Sequence, residues 1–270
     1  MFPSILLLLG VAVLGMAFRS YRHPFFQRLS ILCILAVSFL IGYLPFHNWI
    51  SGCLVASSWL LLPWIDILTR VRRLRLPIQN VFLKKTPPSH RLFPHLSELT
   101  AEMEEEGFEQ VDDVGCDLET QQQFLRLFHR ASDQIQSAIC LVSQQELAFY
   151  YISLVTRLRN GTIFMSWNYP FSYSLKFSPQ TKVQRVRPNQ SVAELCLAHR
   201  AFVDKHAPQV DILPLEPGQL QQLLQDDLQA QIKHNIRSGL LKRDGSQGVR
   251  YTWRGMFFLW FRFLLDFVRL

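Results

Sequence analysis

Charge is scarce in this 270-residue chain: 18% of its residues are charged, below the typical quarter. The deficit is concentrated at the start, where residues 1–68 hold only Arg19, Arg22, Arg28 and Asp66. Such a segment excludes a plain soluble globule and a disordered chain. Glycine is also thin, at 12 residues, which excludes a collagen-like fibre and leaves little material for loops that cradle phosphate. Five scattered cysteines exclude a disulfide scaffold and a paired-cysteine zinc module. There is no G-x-G-x-x-G, Walker loop, G-x-S-x-G, H-E-x-x-H or kinase signature. No repeat of solenoid or propeller length is visible. No cofactor is therefore expected.

What is present at the start is long apolar runs. Residues 2–18 are uncharged, and so are the 37 residues from 29 to 65. A membrane-spanning helix needs about 20 residues, with a range of roughly 17–25. The longer run carries Tyr43, Pro45, His47, Asn48 and Trp49 near its middle, a pattern suited to a turn at a headgroup layer. Three transmembrane helices are expected, over about 2–18, 29–46 and 49–68, within a segment 1–69. A cleaved leader would begin with positive charge; here the arginines follow the first run instead.

The basic residues also predict an orientation. Arg19, Arg22 and Arg28 lie between the first two spans, and Arg70, Arg72, Arg73, Arg75, Lys84 and Lys85 follow the third. The turn between spans two and three has none. Positive charge stays on the cytoplasmic side, so the N-terminus is expected outside and the long C-terminal region in the cytoplasm. Asp66 stands one helical turn before Arg70, the spacing of an interfacial ion pair. Residues 70–92 read as a basic juxtamembrane linker.

Residues 93–254 read as a cytoplasmic α+β domain, an antiparallel sheet packed with helices. A helix is expected near 96–106, with Ser97 as its cap and Gly107 as its end. Ten acidic residues and no basic one fall between 98 and 119, a solvated helix face and loop or a docking face for a basic protein partner. Apolar runs at 124–128 and 135–142 predict strands. The segments 148–158 and 162–169 flank Asn160-Gly161, which predicts a two-residue type I′ hairpin with Leu158 opposite Ile163. The basic stretch 170–188 carries Lys176, Lys182, Arg185 and Arg187 among Phe171, Tyr173 and Phe177. It holds the ingredients of a single-strand stacking surface but no nucleic-acid motif, so nucleic acid is not expected as a partner. Ser191 and Glu194 form a capping box before a helix, and a glutamine-rich helix is expected over 218–238.

Residues 255–270 predict an apolar helix in contact with the membrane. Arg262, Asp266 and Arg269 make one narrow polar stripe on it. Arg70, Arg72, Arg73, Arg75, Arg254, Trp260 and Arg262 are the expected interface residues, against a bilayer rich in anionic lipid. The alternative is that this helix packs along the spans or within the domain.

The functional expectation is an integral membrane protein acting as a membrane-anchored cytoplasmic binding or scaffold module. The alternative is a membrane-tethered enzyme that draws on scattered groups such as His129, Cys140 or His199. Cys196, His199 and His206 share a helix, but seven-residue histidine spacing is not that of a metal pair, and a cysteine on an apolar stripe is ordinarily inert packing.

Overall fold

The computed structural model describes residues 2–21, 24–77, 82–118, 121–144, 147–171, 173–187, 190–207, 211–245 and 248–269. Arg22 and residues 119, 188 and 270, which end segments read above, lie outside the described residues. In chain order come α1 (Phe2–Ser20), α2 (Pro24–Phe46), α3 (Trp49–Thr69), β1 (Leu76–Pro77) and β2 (Leu83–Lys84). Then follow α4 (Leu96–Glu105), β3 (Glu109–Leu118), β4 (Gln121–Arg130), β5 (Ile135–Gln144), β6 (Leu147–Arg157), β7 (Ile163–Trp167) and β8 (Thr181–Arg185). The chain ends with α5 (Val192–His206), α6 (Leu220–Arg237), β9 (Leu241–Asp244), β10 (Gly248–Tyr251) and α7 (Trp253–Arg269). The fold is mixed α+β. It divides into two compact units, one formed by residues 1–76, 172–174 and 239–270 and the other by 77–171 and 175–238.

The first unit contains α1 to α3, a small sheet ordered β1-β10-β9, and α7. Among the described residues two helical segments, rather than the expected three, are long and apolar enough to cross a membrane: Arg28–Phe46 and Trp49–Arg73. The first run yields only a shorter apolar segment, Ser4–Ser20. At 1.5 Å per residue that is about 26 Å, against about 30 Å of hydrocarbon. The turn between α2 and α3 falls where the polar residues predicted it. His47 takes a positive φ of 49°, its N–H bonds the Tyr43 carbonyl, and Asn48 caps α3 by accepting from the Ile50 N–H at 3.0 Å. The two helices touch through small residues. A Cβ on Gly52 would lie 2.7 Å from the Phe39 ring, and one on Gly42 would meet the Ser51 carbonyl at 2.5 Å. Asp66 and Arg70 do pair, at 3.3 Å.

The second unit is built on a seven-stranded sheet in strict sequence order, β2 to β8. Every neighbouring pair is antiparallel except β7 and β8, which run parallel. Helices cover both faces. Met103 of α4 and Leu195 and Cys196 of α5 pack on Phe128, Ile139 and Leu154. Leu220 of α6, with Leu224 and Leu228, packs on Val114, Leu125, Leu127 and Cys140. Each fully buried Leu, Ile or Phe contributes about 1.5–3 kcal/mol.

Several sequence expectations are corrected here. The acidic stretch after Gly107 is not a loop but strand β3. Its aspartates face cations brought by other strands: Asp113 takes a two-pronged bond from Arg126 at 2.8 and 2.9 Å, and Asp112 meets Lys84 at 3.3 Å. Ser97 does not cap α4; it lies inside the helix, and His95 precedes it. Lys84 and Leu83, expected in a linker, pair with β3 as strand β2.

The hairpin register is shifted by one residue. Arg157, not Leu158, lies opposite Ile163, and Thr156 opposite Phe164. Only Gly161 takes a positive φ, at 82°, while Asn160 does not. The loop is therefore three residues, a type I turn closed by a left-handed glycine, rather than a two-residue type I′ turn. The Asn160 side chain accepts from the Thr162 N–H at 2.9 Å, and the Gly161 N–H donates to the Leu158 carbonyl at 3.0 Å. Because strand faces alternate, the shift turns Phe164 and Ser166 toward α5.

Candidate anion-binding pocket

Three sections of the first unit converge on a pocket. After α3 the chain makes one tight helical turn at Val71–Arg73 and leaves in extended form through Leu74. The hairpin β9–β10, turned at Gly245 with a positive φ of 73°, carries Lys242 and Arg250. Thr252 then starts α7. Its hydroxyl donates to the Gly239 carbonyl at 2.6 Å and accepts from the Gly255 N–H at 3.1 Å. Gly255 makes this start possible, because a Cβ there would collide with the Leu240 carbonyl oxygen.

The result is a cavity of about 240 Å³ lined by Arg72, Lys242, Arg250, Tyr251, Thr252, Trp253 and Met256. The Arg72 guanidinium lies 5.8 Å from the centre of the Trp253 ring. Lys242 and Arg250 are directly opposite each other in the β9–β10 register. Like charges in that position repel. Asp244 is shared by Arg75 at 3.1 Å and Arg250 at 3.7 Å. Among the described residues no carboxylate lies within ion-pairing distance of Arg72 or Lys242. The first-turn amides of α7 add partial positive charge at the same end. Tyr251 is a buried wall: burial pushes its hydroxyl up to about 12, and it donates to the Ser174 carbonyl at 3.3 Å. Three cations beside a helix N-terminus are the chemistry that suits an anionic ligand.

The expected interface residues distribute unevenly. Arg72 lines the pocket, Arg75 reaches its edge through Asp244, and Arg70 is committed to Asp66. Arg254 is exposed on the first turn of α7. Trp260 and Arg262 lie further along α7 and do other work. The Trp260 indole N–H donates to the Leu60 carbonyl at 2.7 Å, and Trp64 of α3 packs edge-on against Phe257 at 4.8 Å. Thus α7 lies along α3, the packing alternative named above, while Trp253, Phe257 and Phe261 remain more than half exposed as one stripe. Arg262 donates to the Tyr173 hydroxyl at 2.6 Å and stacks 4.2 Å from that ring. Lys242 and Trp253 escaped the sequence reading. The signal that could have found them is the Asp244-Gly245 turn between two short β-rich runs, which predicts a hairpin.

The groups considered for an enzyme are not assembled. Cys140 lies among Val114, Leu125 and Leu127 on the α6 face of the sheet, where burial pushes its thiol up to about 12. His199 lies on the α5 face, fully buried between the Thr156 hydroxyl at 2.9 Å and the Ser166 hydroxyl at 2.8 Å. Burial lowers its pKa to about 4, so it is a neutral packing element. Cys196 is buried as well, its thiol raised chiefly by that burial, with Arg130 3.8 Å away. His129 is buried with Nε2 unpartnered among the described residues. His206 is exposed and bonds the Phe202 carbonyl at 2.9 Å. Among the described residues no three His, Cys, Asp or Glu side chains are grouped as metal ligands would be. No family model, curated protein or solved structure matches this chain.

Proposed function

We propose that this chain is a membrane-anchored binding module, non-catalytic, with its seven-stranded sheet in the cytoplasm and the basic pocket as a ligand-binding element. The observation that carries the reading is the outward-facing apolar surface of α2 and α3. Leu32, Leu54, Leu61 and Ile65 are each more than 60% exposed, on two helices of spanning length. A contiguous exposed apolar surface marks an interface with membrane or partner, and helices of this length suit a membrane. In the fuller form of the proposal α1 is a third, short span. It packs on α2 with Phe18 stacked on Phe26 at 5.7 Å, and a Cβ on Gly15 would lie 3.0 Å from Cys33. An odd number of spans with basic loops after the first and third puts the N-terminus outside. The exposed glutamates of α4, Glu102, Glu104 and Glu105, remain a docking face for a basic protein partner in this proposal.

The test is a pair of measurements on the full chain. Membranes are washed at alkaline pH, and a reporter active only in the cytoplasm is fused after Lys85. Retention in the pellet and an active reporter are expected. Release by the wash removes the membrane anchor, and an inactive reporter with a periplasmic counterpart active at the same site inverts the topology.

A further inference from the structure

We infer that the pocket between Arg72, Lys242 and Trp253 is a phosphate site, and that its natural occupant is the phosphodiester of an anionic lipid headgroup. The cross-strand pair of Lys242 and Arg250 is the first reason. Like charges facing each other across a hairpin repel, and Asp244, shared between Arg75 and Arg250, offsets this only in part. An anion bridging them turns that repulsion into attraction. Arg72 supplies a third cation from the end of α3, and its fork geometry suits two oxygens of one phosphate. Carboxylate competitors do not neutralise Arg72 or Lys242 among the described residues, so that charge is available.

Size and surroundings narrow the ligand. At about 240 Å³ the cavity is smaller than sites for drug-sized molecules, which suits a headgroup phosphate rather than a whole nucleotide. The exposed stripe of Trp253, Phe257 and Phe261 begins at the pocket and runs along α7, beside α3. A phosphate held at the helix start would leave its acyl chains against those rings. The lipid as source rests on the membrane-anchored reading above; recognition of phosphate does not.

The test uses full-length protein purified in a neutral detergent and titrated calorimetrically with three probes. These are inorganic phosphate, dihexanoyl phosphatidylglycerol and dihexanoyl phosphatidylcholine. Phosphatidylglycerol should bind and phosphatidylcholine should not. Arg72→Gln with Lys242→Gln should weaken binding roughly tenfold or more, whereas Lys205→Gln on α5 should leave it unchanged. Lys242→Gln alone should also leave the melting temperature equal or higher, because it removes the repulsion, while still weakening the lipid. A merely structural lysine would not separate those readouts. Equal affinity in the double variant and the parent overturns the site. Binding of inorganic phosphate without phosphatidylglycerol overturns the lipid source and assigns a soluble phosphate ester. Release of the protein by the alkaline wash removes the membrane anchor and leaves the phosphate titration standing.

Discussion

The helices α2 and α3 and the sheet β2–β8 are built with opposite senses of inside and outside. In the helical pair the large apolar side chains point out and small or polar groups meet within. Ser38 is buried, the Trp59 indole N–H donates to its hydroxyl at 2.8 Å, and Gly42 and Gly52 let the backbones close. In the sheet unit Phe108, Phe128, Phe164 and Met103 are buried, and the ionic groups grip the rim. On the membrane-anchored reading proposed above, one rule, burial from the local solvent, produces both arrangements when the solvents differ. In hydrocarbon, close contact and hydrogen bonds hold helices together, because lipid is as apolar as leucine. In water, apolar burial dominates and buried charges must be paired.

The strongest way to break this contrast is at Arg130. Its side chain is almost fully buried, bonds Asp133 at 2.8 and 2.9 Å, donates to the Glu106 carbonyl at 3.0 Å, and covers the Phe108 ring. Arg130→Ala leaves Asp133 without that partner and opens the end of α4, and should cost about 3–5 kcal/mol in a denaturant titration. Arg70→Ala removes an exposed pair of the same formal kind and should cost under about 0.5 kcal/mol. Equal losses would mean that the ionic clamps of the sheet unit are as weak as surface pairs.

The second effect is that of pH on His199. Unfolded, this imidazole takes its proton near 6.5; folded, burial delays protonation to about 4. Between those values the unfolded chain holds more protons, so falling pH favours unfolding. Stability from this group is full above pH 6.5, declines toward pH 4, and loses on the order of 3 kcal/mol across that window. His199→Gln should flatten the decline relative to the parent, measured as denaturation midpoint against pH. An unchanged slope would mean that the histidine is hydrated in the folded state.

The third effect falls on the helical pair. Gly42→Val or Gly52→Val places a branched side chain against the Ser51 carbonyl or the Phe39 ring. About 1–3 kcal/mol should be lost, read as a lower midpoint of thermal unfolding in detergent. Val in place of Gly10, which has open space around it, is the comparison that isolates packing from helix propensity.

How much of this could be read from the chain depended on whether the forces were local. The turn at His47-Asn48, the apolar helices over 29–46 and 49–68, and the Ser191–Glu194 cap are each decided within a few residues, and each is where it was expected. Strand β3 was hidden because Glu109, Asp112, Asp113 and Gly115 are poor strand formers. What holds them is Arg126 and Lys84, contributed by other strands. The pocket was half visible. Arg72 belongs to an obvious basic run, but Lys242 becomes its neighbour only through a hairpin closed far along the chain.

The smallest effect tests the loop that sets the β6–β7 register. Asn-Gly fits a two-residue turn with positive φ at both positions, or a three-residue turn with positive φ at the glycine alone. The second form is the one present. It matters beyond the loop, because the other register would turn Ser166 away from His199 and leave the imidazole without a partner on Nδ1. The two forms predict different costs for alanine. In the three-residue loop Asn160 has ordinary backbone and loses only its bond to the Thr162 N–H, so Asn160→Ala should cost about 0.5–1 kcal/mol. Gly161 needs φ near 82°, so Gly161→Ala should cost about 1–2 kcal/mol. A type I′ turn would penalise alanine at both positions through backbone strain, with the asparagine change at least as costly as the glycine change. Denaturant midpoints of the two variants, measured side by side, therefore read the register directly: a smaller loss at Asn160 belongs to the three-residue loop, and equal or reversed losses would return Leu158 to a place opposite Ile163.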